Sequence, residues 1–174
     1  YANTRCSSRI SMLLRKKSYE ELLSTTSKEE TFAQLEDSYY GPIVEHSKEF
    51  FSFSDSIYKD LNKTYNWLSD IIPPTLNPII QALNLKFEIN ELKDILNNIK
   101  QGNTIQDIKF IESEELKLKL ESVKDFQSFI AAIEGTPYSI SFQNKTLDNL
   151  NEINTSLDKY YIENIINVIS SIKD

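Results

Sequence analysis

The sequence predicts an all-α protein, and three observations carry that reading. Only three glycines and five prolines interrupt 174 residues, so long stretches are free of both helix breakers. Between the breakers, apolar residues recur at helical rather than alternating spacing. Capping signatures stand ahead of several of these segments.

The elements follow in order. Ile10, Leu13 and Leu14, then Leu22 and Leu23, with Arg5, Arg9, Arg15, Lys16 and Lys17 among them, predict an amphipathic helix followed by a shorter one. Ser18 with Glu21 and Ser27 with Glu30 each fit the S-x-x-E box, in which hydroxyl and carboxylate satisfy free amides at a helix start. From Ile43, the positions Val44, Phe50, Phe51, Ile57, Tyr58, Leu61, Tyr65, Leu68 and Ile72 keep helical spacing up to Pro73-Pro74, which must end it. That is one long helix or two nearly collinear ones. Leu76, Ile79, Ile80 and Leu83 form one stripe, and Ile89, Leu92, Ile95, Leu96 and Ile99 a second one out of phase, so a break is expected between Leu85 and Glu88. Gly102 supplies a helix stop. The stretch 104–122 is charged and weakly periodic, and reads as a partly helical connection. Leu147, Leu150, Leu157, Tyr161, Ile165, Val168 and Ile172 predict a final helix of about seven turns, needing a partner surface along much of its length.

A repeat runs through these elements. Leu35-Glu36-Asp37-Ser38-Tyr39-Tyr40 returns as Ile133-Glu134-Gly135-Thr136-Pro137-Tyr138, and Leu61-Asn62-Lys63-Thr64-Tyr65 returns as Leu157-Asp158-Lys159-Tyr160-Tyr161. A period of about a hundred residues is domain-sized. The expected organisation is a first helical lobe over 1–102, a connection over 103–121, and a partial second lobe over 122–174 that repeats 24–72. Leu35, Tyr40, Gly41, Ile133, Pro137 and Tyr138 are the repeat anchors. Both tyrosines are expected to bury their rings while the hydroxyls find backbone groups. Because the second copy breaks off and the chain starts at Tyr1 rather than Met, a piece of a longer protein is expected.

Composition excludes several functions. A net charge of -7 argues against nonspecific nucleic-acid binding, which draws its free energy from basic side chains on phosphates, and against direct docking on an anionic bilayer. No apolar run approaches the ~20 residues of a membrane span, and no signal peptide is visible. The single cysteine, Cys6, excludes an internal disulfide. His46 stands alone beside Glu45 and reads as a surface histidine, with Cys6 as a small buried residue. Without a second histidine or a Cys-x-x-Cys pair, no metal ligand set is predicted. Glu20-Glu21 and Glu114-Glu115 read as first-turn acids that complement the helix dipole. No glycine-rich phosphate loop exists. Catalytic residues, cofactors and metals are therefore not expected. Arg5, Arg9 and Lys16, taken to project from one helix face toward an acidic partner, are the candidate binding residues.

At several of these segments the chain resembles the C subunits of the archaeal A-type and bacterial V-type rotary ATPases, relatives of the d subunit of the vacuolar ATPase. The matching pieces are Tyr1-Ala2-Asn3-Thr4-Arg5 leading to Leu13-Leu14, Tyr19-Glu20-Glu21-Leu22-Leu23, Leu35-Glu36-Asp37-Ser38 with Tyr40-Gly41, Phe87-Glu88-Ile89-Asn90-Glu91-Leu92-Lys93, Glu134-Gly135-Thr136-Pro137-Tyr138 and Leu157-Asp158-Lys159-Tyr160-Tyr161. They occur in family order along the whole chain. The chain departs from the family at Arg5-Cys6-Ser7, where members often carry Arg-Val-Arg, and at Leu96-Asn97, where they carry Leu-Arg. The resemblance implies two of three helical lobes of a funnel-like, noncatalytic central-stalk subunit. It further implies, as partners, the central-axle subunits and the membrane proteolipid ring, at the cytoplasmic face of the membrane. Without the resemblance, the same features describe a free-standing cytosolic helical adaptor. A small hydrolase using Cys6 and His46 is a third reading.

Overall fold

Helix begins almost at once in the computed structural model, which describes residues 2–45, 50–105 and 108–172. The helices are α1 (Ala2–Met12), α2 (Lys16–Leu23), α3 (Lys28–Glu36), α4 (Gly41–Glu45), α5 (Phe50–Ile71), α6 (Asn77–Gln101), α7 (Glu114–Glu121), α8 (Phe126–Ile133) and α9 (Leu150–Ser171). Short 3-10 turns cover Pro74–Leu76, Pro137–Phe142 and Leu147–Asn149. No strand occurs among the described residues, and the all-α expectation holds. The predicted helix from Ile43 is α4 plus α5, and the residues between them lie outside the described set, as do His46 and the side chains of Phe50 and Phe51.

The chain divides into two compact units, Tyr1–Ile72 and Pro73–Asp174. This packing boundary falls at the Pro73-Pro74 stop. The repeat drew its connection elsewhere, at 103–121.

In the first unit, α3 starts as predicted. Ser27 Oγ accepts the Glu30 amide at 3.1 Å, while the Glu30 carboxylate takes the amide of Thr26 at 2.9 Å, one residue before the reciprocal partner of the ideal box. The Ser18 box is not formed, because α2 already starts at Lys16 with Arg15 ahead of it. That earlier start lets Lys16 and Lys17 reach Glu20 and Glu21 at 3.7 and 3.5 Å, since a helix running through Ser18 brings residues four apart onto one face. Glu20 and Glu21 are consequently mid-helix ion-pair partners rather than first-turn acids. Glu114 and Glu115 do occupy the first turn of α7, behind Ser113 as N-cap.

The second unit holds the larger core. The expected break in α6 is absent, and one helix of 25 residues runs to Gly102, whose left-handed φ of 71° closes it. Asn103 then donates its amide to the Asn98 carbonyl at 2.9 Å, the six-to-one bond of a Schellman stop. The phase shift vanishes once Ala82 and Leu85 replace Ile79, Ile80 and Leu83 in the stripe. Ala82, Leu85, Ile89, Leu92, Leu96 and Ile99 then alternate four and three apart along one uninterrupted seam. Of these, Ala82, Ile89, Leu92 and Leu96 are buried.

α6 packs against α9, and Ile89, Leu92 and Leu96 share one core with Leu150, Ile153 and Leu157 of α9. Deep burial in α9 ends there, and Ile162, Ile166 and Ile169 remain more than half exposed. Asp158 ties the two helices together. Its carboxylate takes Lys86 Nζ at 2.9 Å and Lys93 Nζ at 2.7 Å. The Lys93 hydrogen bond leads in holding the Asp158 carboxyl below the usual range, with Lys86 adding to it. A depressed folded value means that this contribution is present above the unfolded value of about 4 and is lost as pH falls through the folded one. Asp158→Asn is therefore expected to cost roughly 0.2–1 kcal/mol at neutral pH, since the group is partly exposed. The gap between variant and parent should shrink below pH ~4. Urea titrations of both proteins across that window check this, and a gap that widens on acidification overturns it.

The stretch 104–122 is partly helical, through α7, and several of its described residues join the core of the second unit. Ile108, Ile111, Leu116 and Leu120 are buried, and Phe110 stacks on Phe87 at 5.5 Å between centroids. Two α6 carboxylates anchor its backbone. Glu91 accepts the amides of Lys109, at 2.5 Å, and Phe110, and Glu88 accepts that of Glu112 at 2.9 Å. Burial pushes the Glu91 carboxyl up, against the pull of those amides.

The two turns that carried the repeat share their bonding. After α3, Ser38 returns its amide to the Leu35 carbonyl at 3.0 Å and its hydroxyl to the same oxygen at 2.6 Å. After α8, Thr136 does the same to Ile133 at 3.0 and 2.7 Å. Leu35 and Ile133 are buried, as is Tyr138, whereas Tyr40 is half-buried and Pro137 is exposed at the head of its turn. The Tyr138 hydroxyl donates to the Glu88 carboxylate rather than to a backbone group, because α6 presents that carboxylate where the ring is seated.

Candidate functional site

Chemistry-bearing side chains of the first unit converge where α1 meets α5. Arg5 and Arg9 are four apart on α1 and so share a face. Both guanidinium groups lie over the ring of Trp67 on α5, at 5.2 Å for Arg5 and 4.5 Å for Arg9, within cation–π range. Arg9 also donates to Thr64 Oγ1 at 2.9 Å. The Thr64 hydroxyl in turn donates to the Asp60 carbonyl at 3.0 Å. From the turn after α3, the Tyr39 hydroxyl reaches the Asp60 carboxylate at 3.2 and 3.4 Å. Burial first, and the Asp60 charge second, raise the Tyr39 phenol, while Arg9 opposes them.

Arg9, Tyr39, Asp60, Thr64 and Trp67 border an open cleft of about 410 Å³, whose apolar lining includes Cys6, Ile10, Leu13, Ile57, Leu61 and Leu68. Ile10 is 66 % exposed and Leu13 47 %. In the same unit Leu35 and Val44 are the apolar side chains buried in full among the described residues.

Of the predicted binding trio, the structure brings Arg5 and Arg9 together and leaves Lys16 apart, on α2 and paired with Glu20. Cys6 is half-buried at the cleft wall rather than in a core. Trp67, Thr64 and Asp60 were not singled out by sequence reasoning. Their spacing on one face of α5 was readable, but nothing in the sequence says that α1 docks on that face. Among the described residues, no group of three or more His, Cys, Asp or Glu could hold a metal ion, and no helix is long and apolar enough to cross a membrane.

What this arrangement can do is bind: an apolar floor with Arg9 and Asp60 at its edge. Comparison with known proteins gives it a context. The sequence profile described as ATP synthase (C/AC39) subunit matches residues 2–174. The chain belongs to that family. Two curated C/AC39 relatives are named as the C subunit of an A-type ATP synthase. That of Methanocaldococcus jannaschii is 24% identical over 181 residues, covering 95% of this chain and 45% of the relative. That of Methanococcoides burtonii is 24% identical over 182 residues, covering 99% of this chain and 51% of the relative. This C/AC39 chain therefore spans about half the length of the curated relatives it matches.

Proposed function

We propose that the chain serves as a noncatalytic central-stalk component of an ion-translocating rotary ATPase or ATP synthase, coupling the rotor axle to the membrane proteolipid ring. The observation that carries this reading is the family match over residues 2–174. A coupling part must transmit torque without chemistry of its own, which asks for a stiff body and a gripping face. The α6–α9 pair, sealed by the Ile89–Leu92–Leu96 seam and the Lys86–Asp158–Lys93 clamp, supports the first requirement. The open cleft beside Arg9 and Trp67 supports the second. In this reading the repeated turns after α3 and α8 mark successive lobes of one helical body, held peripherally at the cytoplasmic face through its complex.

Tagging the gene in its host, solubilising the membranes gently and identifying what co-purifies tests the proposal. Axle, nucleotide-binding and proteolipid subunits are expected in stoichiometric yield. A product that arrives alone overturns the rotor reading in favour of a free-standing helical adaptor.

A further inference from the structure

The apolar face that joins α6 to α9 does not by itself fix how far along one another the two helices lie. Ile89, Leu92 and Leu96 share one core with Leu150, Ile153 and Leu157, and on each helix these positions run three and then four apart. Such a pattern returns every seven residues, so an alignment displaced by one heptad, about 10 Å along the axis, again sets apolar against apolar. Polar contacts have no such tolerance, because a buried donor or acceptor that loses its partner carries its full desolvation penalty.

Two sets of polar contacts cross this face, and each excludes a different slip. The Asp158 carboxylate lies between Lys86 and Lys93, at 2.9 and 2.7 Å, and these lysines are themselves seven apart on α6. Lys100 stands seven further on, and Ile79 seven before Lys86. Moving α9 one heptad toward Lys100 therefore hands Asp158 a new lysine pair, Lys93 and Lys100. Moving it the other way leaves Asp158 between Ile79 and Lys86. The ion pairs resist the second slip and permit the first.

Tyr138 forbids the slip that the lysines permit. Its turn packs on α9, its ring meets that of Tyr160 edge-on at 5.7 Å between centroids, and its hydroxyl donates to the Glu88 carboxylate of α6. Seven residues beyond Glu88 stands Ile95, which is buried. Carried one heptad along with α9, the Tyr138 hydroxyl faces an isoleucine, and Glu88 loses its donor.

We propose that the Glu88–Tyr138 bond and the Lys86–Asp158–Lys93 clamp form a register lock, which selects one alignment of α9 on α6 from those that the apolar faces allow. The Tyr138 hydroxyl decides against the slip toward Lys100. A polar group in an apolar helix seam specifies register in this way at a cost in stability. The inference concerns the second unit alone and stands independently of the rotor reading.

Spin labels read the alignment directly. In the full chain carrying Cys6→Ser, cysteines replace Asn97 of α6 and Ser170 of α9, both exposed, and pulsed electron paramagnetic resonance measures the distance between their labels. The parent should give one narrow distance. Tyr138→Phe, which keeps the ring and removes the hydroxyl, should add a second distance about 10 Å from the first, the axial rise of seven residues. Lys100→Glu added to Tyr138→Phe should abolish the second distance, because the slipped alignment then sets Asp158 against a like charge. A Tyr138→Phe chain that keeps the single parent distance overturns the inference, as does a second distance that Lys100→Glu leaves in place. Glu88→Leu removes the same bond from the α6 side and is read in the same way. Failure of both variants to fold also overturns the inference, since the bond then holds the fold rather than choosing an alignment.

Discussion

Phe129→Ala is expected to remove about 3–5 kcal/mol from the stability of the second unit, the range for truncating a fully buried aromatic side chain. Phe129 is 0% exposed on α8 and packs 5.3 Å from the ring of Phe142, in a cluster that also holds Ile133, Leu120 and Ile153. Its removal leaves a cavity walled by several separate elements. The walls cannot collapse on it together, because α8 is fixed at its start by the Asp125–Ser128 capping box and at its end by the Thr136 bonds to Ile133. A single domain is stable by only about 5–15 kcal/mol, so the variant should lose much of its folded margin. Far-ultraviolet circular dichroism during urea titration measures the change. A midpoint shift equivalent to less than about 1 kcal/mol would show that Phe129 is not the keystone its burial implies.

Gly41→Ala is expected to damage the first unit by a different route, through the backbone. A Cβ at Gly41 would lie 2.2 Å from the Glu36 carbonyl oxygen and 3.1 Å from its carbon. Those atoms belong to the last turn of α3, so no side chain can rotate out of the way. The α3–α4 turn must open, and the cost is placed at about 3 kcal/mol, the upper end of ordinary overpacking. The unit has little with which to absorb it, since Leu35 and Val44, on either side of Gly41, are its buried apolar side chains among the described residues. Trp67 is the single tryptophan of the chain and sits in this unit. Its emission therefore reports unfolding here, where Phe129→Ala reports on the other unit. A Gly41→Ala midpoint within about 0.5 kcal/mol of the parent would sink the steric argument.

Most elements were legible because their signals are local. Ser27 and Gly102 mark a start and a stop through bonds made within a few residues, and Pro73-Pro74 ends α5 whatever surrounds it. The failures also share a cause. Ser18 carries the same local pattern as Ser27, yet the Lys16–Glu20 and Lys17–Glu21 pairs draw the helix start past it. Ala82 was passed over in α6 because a small residue says little about burial until its neighbour is known. That residues of the stretch 104–122 join the core was not readable, since no sequence rule reveals that Glu88 and Glu91 will bind its amides.

The site follows the same division. From the sequence alone came the helical class, the stops and caps, the repeat that pairs the turns after α3 and α8, the cationic character of α1 and the family resemblance. All of these reside in neighbouring residues, in composition or in order along the chain. Tertiary structure alone decided which faces meet: that α9 packs on α6 over Ile89, Leu92 and Leu96, that Arg5 and Arg9 settle over Trp67 while Lys16 does not, and that an apolar cleft stays open between α1 and α5. Those choices depend on shape and burial between residues as much as 72 positions apart in sequence, as Lys86 and Asp158 are. The free energy of such contacts exists only after both surfaces have formed.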